Sequence, residues 1–313
     1  MNILITGGCG FIGSHLAEAL VQRGHRVRVL DNLSTGFECN IAAVRDRVEL
    51  RCGDIRDARI VEDAMADIEV VFHEAALVSV FQSVEDPVLN HEINLTGTLR
   101  VLEGARAAGV RRLIAAGSAA AYGNDPELPK QEDMLPRPES PYAITKVGME
   151  YYWRVYAALY GLETVVLRYF NVYGPRQDPG SMYSGVISRF VEAVTANGTP
   201  TVFGDGRQTR DFVSVHDVVQ ANLLAMECSA PEAGFTANVG TGRETSLLDL
   251  LDALRALGKR DFETEFRAAR SGDVRHSVAD ISRARERLGY APTVTIETGL
   301  KELLNHVEGK SAQ

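Results

Sequence analysis

The sequence predicts an α/β fold, a parallel sheet covered by helices on both faces, with a smaller α/β unit after it. Three observations carry this. Short β-branched or apolar runs recur along the first half, segments of helical periodicity separate them, and a glycine-rich turn joins the first run to the first helix. The runs are "NILIT" at 2–6, "RVRVLD" at 26–31, "VELRCGD" at 48–54, "EVVFHEA" at 69–75, "RLIAAGS" at 112–118 and "ETVVLRYFNV" at 163–172. After Asn171 the rhythm loosens, Pro and Gly become frequent in "YGPRQDPGSMYSG", and helical patterns at 246–258 and 295–307 lack regular strand partners. Residues 1–171 therefore read as one domain and 172–313 as a second at the carboxyl edge of the sheet, with part of about 211–240 returning to the first.

Composition removes several classes of function. At 313 residues and 45% hydrophobic the chain can bury a full core. A net charge of -9, with basic residues no denser than pairs such as Arg111-Arg112, argues against a nucleic-acid or anionic-membrane partner. Cys9, Cys39, Cys52 and Cys228 form no C-x-x-C pair, so neither a zinc ribbon nor a disulfide framework is signalled. His91, His216 and His276 show no pairing at metal-ligand spacing, and no metal is expected. A reducing, cytoplasmic setting fits these cysteines and the lack of an apolar stretch long enough to cross a bilayer.

The strongest local signal is "ILITGGCGFIGSHLAEAL". Gly7, Gly10 and Gly13 follow a strand, and Phe11 and Ile12 open a helix, which leaves backbone N–H groups and the positive helix end facing space suited to a pyrophosphate. The second strand ends at Asp31, where a carboxylate meets adenosine ribose hydroxyls and repels a 2'-phosphate. Asn32, not an arginine, follows it, so NAD is favoured over NADP. The second signal is "SPYAITK", which puts Tyr142 and Lys146 on one helix face. There the ammonium can lower the phenol's pKa and hydrogen-bond the nicotinamide ribose. Alone this pair is as readily a solvated helix face; the glycine turn upstream changes the weighting.

The ordered segments "TGGCGFIGSHL", "GDIRD", "HEAALVSV", "GSAAAYG", "SPYAITK", "RYFNVYGPRQDP", "TRDFVSVHDV" and "GDVRHSVADIS" span nearly the whole chain. Through them the sequence resembles the extended short-chain dehydrogenase/reductase family, and within it the UDP-hexose 4-epimerases. The resemblance implies an NAD-binding Rossmann domain and a smaller C-terminal domain holding a UDP-sugar. It assigns the cofactor to Gly7, Gly10, Phe11, Ile12, Gly13, Asp31, Asn32, Asp54, Ile55, Ala75, Ala76, Tyr142, Lys146 and Tyr169. Tyr142 matches the catalytic base, Lys146 its partner, and Ser118 the hydroxyl that shares the substrate's reacting oxygen. Asn171, Arg210 and Arg270 match the residues that grip the diphosphate, two guanidinium forks suiting that group. Ser79, Val186, Phe203, Asp273 and Ser277 complete the implied substrate set.

What surrounds the shared residues narrows the reaction. In the family's 4,6-dehydratases the hydroxyl residue precedes an Asp-Glu pair; here Ala119 and Ala120 follow Ser118. What remains is reversible hydride transfer at C4 through a 4-keto sugar, hence epimerisation. The position of Ser277 acts in the family as a gate, and a small residue there leaves room for an N-acetyl group; Ser79 matches a serine that approaches the substrate in epimerases acting on N-acetylated sugars. Asp178 stands where uronate epimerases tend to carry an arginine. UDP-GlcNAc/UDP-GalNAc interconversion is therefore favoured, alongside UDP-Glc/UDP-Gal. A UDP-glucuronate 4-epimerase, a decarboxylase or reductase of the same family, and a non-catalytic NAD-binding sensor remain open, the last opposed by the retained Ser118, Tyr142 and Lys146. The family also implies a homodimer through helices around 91–109 and 142–160, the second carrying Tyr151, Tyr152 and Trp153.

Overall fold

In the computed structural model, which describes residues 1–177, 185–229, 232–258, 261–269 and 274–311, the first half alternates strands and helices. The strands are β1 (Asn2–Thr6), β2 (Arg26–Asp31), β3 (Val48–Cys52), β4 (Val70–His73), β5 (Arg112–Ser118) and β6 (Glu163–Tyr169). The helices among them are α1 (Phe11–Gln22), α2 (Ala58–Ala64), α3 (Val80–Glu85), α4 (Pro87–His91), α5 (Thr98–Ala108) and α6 (Pro141–Tyr160). The second half carries β7 (Asn171–Tyr173), α7 (Val186–Thr195), β8 (Thr201–Phe203), β9 (Thr209–Arg210), β10 (Phe212–Ser214), α8 (Val215–Glu227) and β11 (Phe235–Val239). It ends with β12 (Thr245–Ser246), α9 (Leu247–Gly258), β13 (Glu265–Arg267), β14 (His276–Ser277), α10 (Ser282–Leu288) and α11 (Ile296–Ser311).

The main sheet has seven parallel strands in the order β11-β6-β5-β4-β1-β2-β3. It is a Rossmann sheet: strand order reverses between β1 and β4, and the crevice beyond their carboxyl ends is where such sheets bind ligands. Pleating sends Ile3 and Ile5 to one face, packed with Leu16 and Leu20 of α1, and Leu4 to the other, packed with Leu102 of α5 and Trp153 of α6. Both faces are covered, so β4 is buried throughout.

The run read as one strand over 163–172 is two. β6 stops at Tyr169, the Phe170 amide donates to the Val239 carbonyl, and β7 pairs with β10 in a separate small sheet. β11 closes the edge of the main sheet beside β6, and Ile281, Ala284 and Leu288 pack in the same core as β1 and α1. Phe190, Val191, Val202, Leu250, Leu254, Leu300 and Leu303 form a separate core in the second half.

Two buried charged groups join these parts. Arg112, read above as one of a basic pair, is buried. Its Nη1 donates to the carbonyls of Ala225, Met226 and Cys228 at the carboxyl end of α8, and its Nε reaches Glu163 at 2.7 Å. A cation there answers the helix dipole and its open carbonyls. Asp211 accepts from the amides of Thr241, Gly242 and Ala279 and from the Thr241 hydroxyl, while the Asn171 amide donates to the Asp211 carbonyl. This fixes β9, the turn after β11 and the segment after β14 in one frame.

Candidate active site

The glycine turn is shaped by three contacts. Gly7 has φ +72°, and a β-carbon on it would sit 2.7 Å from the Ala75 nitrogen. A β-carbon on Gly13 would sit 2.3 Å from the Gly7 carbonyl oxygen, so the first turn of α1 packs directly on the turn before it. A β-carbon on Gly10 would meet only that oxygen, at 3.1 Å, which leaves its outer side open. Gly10 is the N-cap of α1 and supplies no side-chain cap, and the first turn holds no acidic residue. The open amide end beside Phe11 and Ile12 thus fits a pyrophosphate.

Asp31, at the end of β2, is buried. Its Oδ2 accepts from the Cys9 amide at 2.9 Å and its Oδ1 from the Leu33 amide at 2.8 Å, which ties it to the glycine turn with lone pairs to spare for hydroxyl donors. Asn32 donates to Asp54, and Arg56 engages both oxygens of Asp54, holding that carboxyl down at about 2. Arg56 is thus committed to Asp54 and Glu92. Ile55 is buried, and Ala75 lies against Gly7.

Ser118 ends β5 opposite Tyr169 on β6. Ser140 caps α6 by accepting from the Ala143 amide, which puts Tyr142 in the first turn and Lys146 one turn later. Both are buried. Lys146 Nζ donates to the Ala116 carbonyl at 2.8 Å and lies 6.0 Å from the Tyr142 ring centre. Burial pushes the Tyr142 phenol up, opposed by the Ser118 hydroxyl, and brings Lys146 down to about 8. Burial is the larger influence on the phenol, and the Lys146 charge is directed at the Ala116 carbonyl.

Behind this cluster runs a buried polar chain centred on His73. The Thr98 hydroxyl donates to the Asn94 carbonyl, so it accepts from His73 Nε2, while His73 Nδ1 accepts from Thr6. Asn94, in a π-helical segment, accepts from the Leu77 amide and donates to its carbonyl, fixing the strand-end loop that carries Ala75 and Ala76. Burial drives His73 down to about 3. The unfolded chain takes up this proton near 6.5 and the folded chain does not, so His73 is expected to lower stability progressively as pH falls from about 6.5 towards 3. Thermal melts of wild type and His73→Asn across that range check this: the wild-type melting temperature should fall more steeply. His73 ring resonances should also stay still between about pH 8 and 5.

The substrate-side residues are spread over several segments. Ser79 caps α3, its oxygen accepting from the Gln82 amide at 3.0 Å and its proton left to donate. Arg210 and Ser277 are register partners in the small β12-β9-β14 sheet, Arg210 donating to the Thr209 carbonyl. Asn171 opens β7, Val186 opens α7 and Phe203 ends β8. Asp178, Arg270 and Asp273 lie outside the described residues. Among the described residues no group of three His, Cys, Asp or Glu side chains is placed to hold a metal ion.

Sheet, glycine turn and buried Tyr142/Lys146 pair together define an extended short-chain dehydrogenase/reductase with NAD as its cofactor. The chain belongs to the NAD dependent epimerase/dehydratase family, whose model matches residues 3–240. It is 43% identical to the UDP-glucose 4-epimerase of Mycolicibacterium smegmatis, over 99% of this chain and 100% of that protein. Its structure is similar to that of a UDP-glucose 4-epimerase from Thermotoga maritima with UDP-glucose, with TM-score 0.94, 40% identity and 100% of both chains covered. It is also similar to a UDP-N-acetylglucosamine 4-epimerase from Methanobrevibacter ruminantium M1 in complex with UDP-N-acetylmuramic acid, with TM-score 0.95 and 34% identity over 99% of this chain and 98% of that one.

Proposed function

We propose that the protein is a UDP-hexose 4-epimerase that interconverts UDP-GlcNAc with UDP-GalNAc and UDP-Glc with UDP-Gal. The observation that carries this is the buried Tyr142 and Lys146 of α6, with half-buried Ser118 at the end of β5 acting on the Tyr142 phenol and alanines at the next three positions. NAD, when bound, supplies reversible oxidation at the sugar's C4. Tyr142 removes and returns the proton on the 4'-oxygen, and Ser118 holds that oxygen against the phenol. Lys146, anchored on the Ala116 carbonyl, places its charge beside the phenol and the nicotinamide ribose. Neither Ala119 nor Ala120 can move a proton, which removes the acid and base that dehydration needs. Gly7, Gly10, Phe11, Ile12 and Gly13 hold the pyrophosphate, Asp31 and Asn32 the ribose, and Asp54, Ile55, Ala75, Ala76 and Tyr169 the rest of the cofactor. Asn171, Arg210 and Arg270 grip the UDP diphosphate, while Ser79, Val186, Phe203, Asp273 and Ser277 line the sugar nucleotide.

A small side chain at Ser277, beside Arg210, supports acceptance of the 2-N-acetyl group. Ser277→Tyr is expected to lower kcat/KM for UDP-GlcNAc by roughly tenfold or more while largely sparing UDP-Glc, a discrimination typical of filling a pocket. The deciding experiment incubates the protein with UDP-Glc, UDP-GlcNAc and UDP-GlcA separately, without added cofactor, and resolves the C4 epimers. Turnover of UDP-GlcA alone would overturn the substrate reading.

The reading includes a homodimer and a cytoplasmic setting. Ile144, Tyr151, Val155 and Leu159 form an exposed apolar stripe along α6, continued by Val84 and Val88 of α3 and α4. A stripe of this kind suits a second copy of the chain. Its four cysteines are free thiols, in keeping with a reducing compartment.

A further inference from the structure

Glu74 follows β4 directly and borders the glycine turn: a β-carbon on Gly7 would sit 3.0 Å from the Glu74 carbonyl carbon. Its side chain reaches across the site. Oε1 accepts from the Tyr169 hydroxyl of β6 at 2.8 Å, and that hydroxyl accepts from Asn222 Nδ2 of α8 at 2.7 Å. β4 and β5 pair His73 with Ala115, so Glu74 comes next to Ala116, whose carbonyl holds the Lys146 ammonium from α6, and the two charges act on each other. The second carboxylate that acts on Lys146, Glu150, is held by Arg168 at 2.7 Å. Among the described residues no arginine or lysine forms an ion pair with Glu74. His73, its neighbour in sequence, stays neutral, so it adds no competing charge.

We propose that Glu74 is a positioning residue of this site, the carboxylate that answers the Lys146 charge and fixes the Tyr169 hydroxyl beside it. The proposal rests on Lys146 acting as the partner of Tyr142. Burial pushes the Glu74 carboxyl up to about 7, and the Tyr169 hydroxyl and Lys146 both pull it back. Above that pH the carboxylate favours the ammonium form of Lys146; below it a neutral acid stands there, and Tyr169 loses a charged acceptor.

The test follows Lys146 itself. The chain has five lysines, so carbon-13 labelling of lysine in the holoenzyme gives few resonances to assign. Glu74→Gln keeps the shape and an acceptor for Tyr169. It is expected to lower the Lys146 titration midpoint by about half a pH unit or more, with that of Lys130 unchanged. Glu74→Asp, which keeps the charge, should restore the midpoint at least in part. In turnover, the alkaline limb of kcat should move down with the midpoint while KM stays within about twofold. An unchanged Lys146 midpoint in Glu74→Gln overturns the proposal, whether or not a UDP-sugar is converted, and so does a loss of melting temperature with no midpoint shift. A shifted midpoint without turnover of any UDP-sugar supports the role of Glu74 and counts against the epimerase reading alone.

Discussion

Tyr142→Phe is expected to lower kcat for UDP-glucose epimerisation by ~10²–10⁴-fold, the range a positioned acid or base contributes. The ring is buried at the start of α6 and phenylalanine fills the same space, so melting temperature should hold near wild type. What disappears is the hydroxyl proposed to exchange a proton with the 4'-oxygen. Ser118→Ala should cost less, because it removes a donor that shares the oxygen and leaves the phenol in place. Product epimers resolved after single and multiple turnovers measure both effects. Full activity in Tyr142→Phe would remove the proposed mechanism.

Gly13→Ala is expected to cost the protein both its cofactor and several degrees of melting temperature. An added β-carbon would lie 2.3 Å from the Gly7 carbonyl oxygen and 2.8 Å from the Gly8 α-carbon, closer than non-bonded carbon atoms approach, and both obstacles are backbone. Either α1 lifts off the turn or the turn lifts off Ala75. In both cases the amide end of the helix loses the cradle proposed to hold the pyrophosphate. Gly10→Ala gives the contrast. Its β-carbon meets only one atom, at 3.1 Å, and otherwise projects into the open side, so the apoprotein should melt near wild type while NAD binds more weakly. Calorimetric melts of the apoproteins and NAD binding by titration separate the two. Equal behaviour of the two variants would refute the assignment of Gly13 to packing and Gly10 to the cradle.

Much of the frame was legible in the chain. Strands at 2–6, 26–31 and 112–118 have the bounds read from their sequence: burial on both faces leaves few polar residues in the first and last, while 26–31 alternates Arg26 and Arg28 with Val27 and Val29. The glycine turn was legible because φ and close approach are backbone properties that few residues satisfy. The Tyr142/Lys146 pair was legible because helical spacing sets which side chains share a face. The break at Tyr169 was not: "RYFNVYG" reads as one β-rich run, and only pairing of β7 with β10 and of Phe170 with Val239 divides it.

By itself, then, the sequence determined an α/β chain with a glycine turn opening its first helix and a tyrosine and lysine one helical turn apart, since each depends on residues close in sequence. Tertiary structure decided the rest. It buried Arg112 against α8, gathered three amides on Asp211, threaded His73 between Thr6 and Thr98, and brought Tyr169 to Glu74 across 95 residues. A polar side chain carries no mark of its distant partner. Whether it is solvated, or desolvated and shifted in pKa, depends on which groups the fold places around it.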